Sequence, residues 1–435
     1  MEHNEFMSTD YTMPLPTGGI TESVRQAQDS QFGWADLTSS DLSWVADTAG
    51  KYRSVLRKLP RVFAWVESIE FFRTLRVAQQ STAFRRLQSC FHHISLYDSS
   101  LAQAMEETFR TLPLEGKLRF MTAPETYRSI SLLRSEPSLS VMKLSTFLNG
   151  EAVFQGLGSP KSGYYTALGD VYYCGSCESE PENYEKKSSE IRTLLAPCLV
   201  DRLPIDFFSP NVQHAKETSG SKEDIARLQY GDYSSKEILV VVEKLQDTFS
   251  RIEKVSEAAA QLVRQFVKVI IPFKIPAGGG STSQIHFPGR ILLSGIENVS
   301  PTRIASMLVH EAMHQLLYIL EGNFRFVIEP AEHEETDPTV KSFWTGRDLQ
   351  LHSFIHACFI WYGLAKFWTL PKASEVFEPK DLEIELTRSF SGFKGRNPIE
   401  AVEPFAGRLR YDVVAIAGTL QGLLEPINAT VTTHM

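Results

Sequence analysis

Two histidines and a glutamate stand at HExxH spacing in the segment LVHEAMHQL, as His310, Glu311 and His314. On an α-helix, side chains four residues apart leave the same face, so the two imidazoles can bind one metal ion. Glu311 lies roughly 100° around the helix axis, where it can stand beside the metal without being a ligand. The motif therefore predicts a metal site carried by a helix.

This spacing serves more than one chemistry. In a zinc peptidase the two histidines hold Zn²⁺, and the glutamate takes a proton from the metal-bound water. In a non-haem iron oxygenase two histidines are corners of a facial triad with positions open for a co-substrate and dioxygen. A buried helix whose histidines are only hydrogen-bonded is the third interpretation. The spacing alone leaves all three open.

A third ligand must come from further along the chain. The metzincin pattern is excluded, because Leu317 and Leu320 stand where that class needs glycine and then histidine or aspartate. A carboxylate ligand would have to come from an acidic run with two prolines, which is typical of a solvated loop. The carboxylates of this run are Glu329, Glu332, Glu334 and Glu335.

A better candidate is the apolar segment that begins at Leu349 and contains His352 and His356. Two histidines in such a helix need a partner, because an unpaired polar group in an apolar interior is costly. They are one turn apart, so both can face the same interior. Together with His310 and His314, the sequence favours a three-histidine site, and the spacing leaves open whether His352 or His356 is the third ligand.

Composition limits the classes of function. The chain has 435 residues and a net charge of −8, which argues against a nucleic-acid backbone as partner. We find no signal peptide and no apolar stretch long enough to cross a bilayer, so we expect a cytoplasmic protein. Five cysteines without framework spacing fit a reducing compartment, and the pair Cys174 and Cys177 lacks partners for a zinc site.

We predict an α+β fold that is mainly α, with a helical N-terminal part and a C-terminal metal domain. The predicted division is a flexible tail over 1–30, a mainly helical domain over 31–215 and the metal domain over 225–435. Within the last, a small sheet should pack on the HExxH helix. The elements expected there are a helix over Ile238–Phe266, strands in Phe266–Ile275 and Ile291–Leu293, and a metal helix with Ser300 as N-cap and Pro301 opening it.

Several segments together resemble a known bacterial family. They are Gly280–Ser283, Pro288–Gly289, Leu292–Ser294, Leu308–His314, Trp344–Arg347, Leu351, His356 and Ala365–Trp368, with a weaker match at Gly407–Arg408. The chain is similar here to the HExxH-type, α-ketoglutarate-dependent peptide β-hydroxylases, which act on ribosomally made natural-product precursors. The likeness covers roughly Ala277–Trp368, about a fifth of the chain.

The resemblance implies Fe(II) held by His310, His314 and His356, with α-ketoglutarate as co-substrate and a precursor peptide as substrate. Glu311 would then not bind the metal directly and would not act as a peptidase base; it would support the groups that bind the metal. The family tends to have Arg-Pro-Leu before the third-ligand helix, where this chain has Leu349, Gln350 and Leu351. Arg347 and Arg408 are the predicted replacements, because a guanidinium fork matches a carboxylate. The peptide and the oligomeric state are not specified.

Overall fold

Helices form most of the chain that can be described, as the sequence predicts. A computed structural model describes residues 48–66, 69–175, 191–200, 203–218, 233–322, 324–328 and 338–434. All of them belong to one unit, Val45–Met435. The predicted tail, the acidic run and Cys177 lie outside the described residues, and the predicted division into two domains stays a prediction.

Six helices occupy most of the described N-terminal part, which confirms its mainly helical character. The first helix runs through Pro60 and ends two residues later at Val62. The next helix is long, and Ser81 bonds the carbonyl of Val77 and so is satisfied inside it. The six are α1 Thr48–Val62, α2 Ile69–Ser95, α3 Ser99–Thr111, α4 Leu114–Thr122, α5 Pro124–Leu132 and α6 Pro137–Phe154.

The middle of the chain joins these helices to the sheet. Strands β1 and β2 pair antiparallel. The predicted helix over Ile238–Phe266 is two helices, because Ser256 has an extended backbone and its side chain accepts the amide of Ala259 as an N-cap. The elements are β1 Val171–Cys174, β2 Arg192–Leu195, α7 Pro210–Thr218, α8 Ser235–Val255 and α9 Glu257–Phe266.

A three-stranded mixed sheet lies against the HExxH helix, as predicted. Strand β3 (Val269–Phe273) pairs parallel with β5 (Arg290–Ser294), and both are almost entirely buried. Strand β4 (Gly280–Ser283) pairs antiparallel with the other side of β5, which gives the order β3-β5-β4. Strand β4 is therefore an edge strand, and it packs on the helix that carries the motif.

That helix, α10, spans Pro301–Glu321, and its start is the predicted one. The side chain of Ser300 accepts the amide of Arg303, and Pro301 occupies the first turn, where its missing N–H costs nothing. Helix α10 crosses α11 (Leu351–Trp368), which carries His352 and His356. At this crossing a Cβ on Gly363 would meet the sulfur of Met313, so the glycine lets the two helices approach closely.

The remaining elements surround these two helices. The antiparallel pair β6 (Thr339–Lys341) and β7 (Asp348–Gln350) leads directly into α11. Among the described residues, no helix combines the length and the apolar character needed to span a membrane. The last elements are two 3-10 helices, Ile296–Asn298 and Glu400–Arg408, and the helices α12 Ala373–Val376, α13 Pro379–Phe390 and α14 Tyr411–His434.

Candidate metal centre

One face of α10 carries all the polar groups that point toward α11. His314 follows His310 by four residues, and Tyr318 and Glu321 continue the same stripe four and seven residues after His314. Eleven residues are about three helical turns, so the first and last of these side chains share one face. The HExxH motif is thus the first half of a longer polar stripe.

Four imidazoles from the two helices form a continuous row, which we call the histidine row: His310, His314, His356 and His352. Ring centroids are separated by 5.0 Å between His310 and His314, by 5.5 Å between His314 and His356, and by 5.1 Å between His356 and His352. The helix pair therefore brings the predicted third ligand directly against the HExxH motif.

The contact between the helices is made by His314 and His356. Their Nδ1 atoms are 3.3 Å apart. Two nitrogen ligands on a tetrahedral metal with bonds of about 2.0–2.1 Å lie about 3.3 Å apart, so this distance fits either a hydrogen bond or two ligands of one metal. The side chain of His356 is fully buried, and the rings of Tyr318 and Phe326 pack on it.

The other nitrogen of His356 faces Glu321. Its Nε2 lies 2.8 Å from Oε2 of Glu321 as an ion-pair contact, and neither atom has a hydrogen-bond partner of regular geometry among the described residues. Burial alone would raise the pKa of Glu321, but the charge and hydrogen bond of His356 and the charge of His352 outweigh it and lower the pKa. A carboxylate on the far nitrogen is the usual way a metal-binding histidine is oriented.

Glu321, His352 and His356 also form a compact group of their own. One potential ligand atom from each lies within 4.8 Å of the others, and His310 and His314 are outside this group. The 2.8 Å between Glu321 and His356 is a hydrogen-bond length, somewhat shorter than the about 3.3 Å expected between two ligands of one tetrahedral metal. His310, His314 and His356 do not form such a group among the described residues, so the predicted set and this one share His356 but differ in how closely their ligand atoms approach one another.

Glu311 stands at the opposite end of the row. Its Oε1 is 4.0 Å from Nε2 of His310, and its side chain is 2% exposed. Burial raises the pKa of Glu311 to about 7, although the nearby hydroxyls of Ser283 and Ser281 on β4 and the charge of Arg303 favour the ionised form. A carboxyl with such a pKa can exchange a proton near neutral pH.

The two histidines of the motif are kept neutral. Burial, and then the charge of Arg303, lower the pKa of His310 to about 3. The pKa of His314 also falls well below its usual value, first through burial and then through its neighbours His310, His356 and His352. A neutral imidazole offers a nitrogen lone pair, which is the form that binds a metal.

The other residues singled out from the sequence lie in elements outside the histidine row. Arg347 is exposed in the turn between β6 and β7. Arg408 is half-buried at the end of the second 3-10 helix, and its carbonyl accepts the amide of Ile328 at 2.8 Å. Cys174 is buried in β1, where its thiol contacts the carbonyl of Arg192.

Sequence reasoning missed Glu321. It follows His314 by seven residues, which puts it on the metal face of α10, and this spacing was the available signal. What the spacing could not give is its partner, because His356 comes from a helix 35 residues further on.

Comparison with known proteins does not assign the chain to a family. No protein-family model matches the chain, and no curated protein matches it significantly. The likeness to the HExxH-type peptide hydroxylases therefore stays a prediction from the motifs.

Proposed function

We propose that the protein is a non-haem Fe(II), α-ketoglutarate-dependent hydroxylase that acts on a side chain of a ribosomally made peptide. The single observation that carries this proposal is the contact of 3.3 Å between Nδ1 of His314 and Nδ1 of His356. It joins the HExxH motif to the histidine that the resemblance implies as third ligand. Without His356 beside it, the motif would provide only two histidine ligands on one helix.

The side chains proposed as ligands are imidazoles, which are of a type that binds divalent metals. His310, His314 and His356 would hold the metal as neutral imidazoles, and the low pKa of His310 and of His314 means that no proton need leave these two first. Glu321 would accept the Nε2–H of His356 and so leave Nδ1 of that ring as the ligand atom. With α-ketoglutarate and dioxygen, Fe(II) in such a site supplies the oxidation that places a hydroxyl group on carbon.

Aromatic side chains of the chain cover one side of this centre. Trp361 packs its ring on His310, and Tyr318 stacks on His314. Both exclude water from one side of the row, which protects a reactive centre from side reactions.

A peptide substrate is supported by the position of β4. This edge strand carries Ser281 and Ser283 next to Glu311, and within the described residues no strand pairs with its outer side. Its sequence, Gly-Ser-Thr-Ser, has none of the charges or prolines that usually protect an edge. An extended peptide can bind such an edge by main-chain hydrogen bonds.

The test is an anaerobic titration of metal-free protein with Fe(II) and then α-ketoglutarate, followed in the visible range. We expect the weak absorption band of an iron-bound 2-oxo acid, and its loss in His356→Ala. His92→Ala is the matched control, since His92 is an exposed histidine of α2 outside the row. A wild-type protein that takes up Fe(II) but never develops the band would contradict a 2-oxo acid co-substrate.

A zinc metallopeptidase is the second candidate, and Glu311 favours it. Its carboxyl lies 4.0 Å from His310 and has a pKa of about 7, which suits a general base acting on a metal-bound water. Glu311→Gln separates the two candidates. It should abolish a peptidase, whereas in the hydroxylase it should leave metal binding intact and lower turnover only partly.

The proposal includes a cytoplasmic location, because Fe(II) and free thiols are both kept reduced there. The cysteines at positions 90, 174, 198 and 358 are free thiols, in keeping with such a compartment.

A further inference from the structure

A cavity of about 450 Å³ opens beside the C-terminal end of the polar stripe. Its wall includes Glu321 and His352 on one side, and Arg86 and Tyr127 from the N-terminal helices α2 and α5 on the other. This volume is within the range of small-molecule sites, which are about 300–1,000 Å³. The cavity therefore lies between the N-terminal helices and the end of the histidine row.

The charges on its wall favour an anion. Arg86 and Arg325 contribute two guanidinium groups, and Glu321 contributes one carboxylate that is already paired with His356. His286 also lines the cavity, and burial followed by the charge of Arg128 lowers its pKa, so it adds no positive charge at neutral pH. Ile285, Val327 and Leu351 provide apolar surface between these groups.

Arg86 is held in a fixed orientation with donors to spare. Its guanidinium lies over the ring of Tyr127 at 4.6 Å, and its Nη2 donates to the carbonyl of Gly322 at 3.2 Å. Among the described residues this is its single hydrogen bond, although a guanidinium has five N–H donors in a rigid fork. A planar fork fixed in place by stacking matches the geometry of a carboxylate.

We propose that this cavity binds a small molecule bearing a carboxylate, with Arg86 as the residue that recognises it. The ligand's other end would then point toward Glu321 and the histidine row. Arg347 and Arg408, the arginines expected from the sequence, are not among the described residues that line the cavity. The role of the ligand in turnover rests on the proposed function, whereas its binding does not require a metal.

The test uses the full chain stripped of metal with a chelator. Succinate, α-ketoglutarate, inorganic phosphate and the uncharged dimethyl succinate are titrated separately by calorimetry or ligand-observed NMR. We expect succinate or α-ketoglutarate to bind and dimethyl succinate not to bind. Arg86→Ala should weaken carboxylate binding by about tenfold or more, since a hydrogen bond to a charged group is worth at least that factor.

Two further variants separate recognition from folding. Arg86→Lys keeps the charge and can still reach the carbonyl of Gly322, so it should keep the melting temperature while losing the fork and binding more weakly than wild type. Arg85→Ala removes the exposed neighbouring arginine of the same helix and should leave binding unchanged.

Three results would overturn the inference: no carboxylate binding to wild type, equal affinities in Arg86→Ala and Arg85→Ala, or binding of dimethyl succinate as tight as that of succinate. Phosphate binding as tightly and with the same dependence on Arg86 would overturn the carboxylate assignment. Carboxylate binding in a protein that takes up no metal would leave this inference standing and contradict the proposed function. An iron-bound 2-oxo acid band that is unchanged in Arg86→Ala would overturn this inference and leave the proposed function standing, because the co-substrate would then bind without Arg86.

Discussion

Two carboxyl groups of α10, Glu311 and Glu321, are buried to a similar extent, and yet their pKa values are shifted in opposite directions. Glu311 lies near hydroxyl groups, and burial raises its pKa to about 7. Glu321 lies against His356 and His352, and their charges lower its pKa despite burial. Burial alone thus does not decide the protonation state of a carboxyl; the partner that the fold brings to it does.

The comparison extends to the two halves of the histidine row. The half with His310, Glu311 and His314 is local, and its spacing is visible in the sequence. The half with Glu321, His352 and His356 exists only because α10 and α11 cross. Strand β4 packs on the helix that carries the first half, and Glu321 and His352 of the second half line the cavity. The variants below change one half at a time.

The largest effect is expected from His356→Ala, because both possible metal sets contain this residue. Removing a ligand should lower Fe(II) and Zn²⁺ affinity by more than about 100-fold, beyond the range seen when only a group behind a ligand is lost. Competition with a coloured chelator measures this affinity. Near-native metal affinity in a folded His356→Ala protein would show that the two halves are not joined by a metal.

Glu321→Gln should have the next effect. The amide keeps the shape of the side chain but removes the charge that orients Nε2 of His356, so metal affinity should fall by about 10- to 100-fold. Glu383→Gln is a matched control, since it removes an exposed carboxylate from helix α13. The same chelator competition applies, and equal affinities in the two variants would remove Glu321 from the site.

Glu311→Gln should change the pH dependence of folding in the metal-free protein. The pKa of Glu311 is raised in the folded state to about 7 from its ordinary value of 4.5, so the folded state holds its proton longer than the unfolded state. Stability is then lost as pH rises between these values, by about 3 kcal/mol above pH 7. The variant should lack this loss.

Denaturant unfolding from about pH 3 to 8 gives the measurement for Glu311→Gln and also covers the window below pH 4.5 in which Glu321 titrates. Glu321→Gln should behave in the opposite sense, because a lowered pKa contributes stability that is present above the unfolded value and disappears as the pH falls through the folded one. Identical pH profiles in the two variants would contradict the contrast between the two carboxyls.

Much of the fold was readable from local signals. Ser300 and Pro301 mark the start of the metal helix, and Ile291–Leu293 lies inside the observed β5. Signals that depend on a single residue were less decisive. Ser256 interrupts a helical pattern by capping, and Pro60 is tolerated inside the last turn of α1.

The candidate site divides in the same way. The HExxH pair came from spacing, the apolar helix made His352 and His356 candidates, and the resemblance selected His356; the structure does bring His314 and His356 into contact. Glu321 and Arg86 could not be found, because their importance depends on partners 35 and 236 residues away in the chain. Pairings over such distances are set by tertiary packing and not by local periodicity.

The smallest effect is expected at the helix crossing. Gly363→Ala should destabilise the protein by about 1–3 kcal/mol, because its methyl group meets Met313 and also Phe63, which follows α1. Gly422→Ala in α14 is the matched control, since a Cβ there meets nothing within 4 Å and alanine favours a helix. Thermal unfolding compares the two, and an unchanged melting temperature for Gly363→Ala would mean that the crossing is loosely packed.

The most direct measurement compares the metal affinities of His310→Ala and His352→Ala. If the metal is held by His310, His314 and His356, His310→Ala should lose more than about 100-fold in affinity, whereas His352→Ala should lose less than about tenfold. The reverse order would place the metal at Glu321, His352 and His356, and would contradict the assignment of the HExxH pair as ligands.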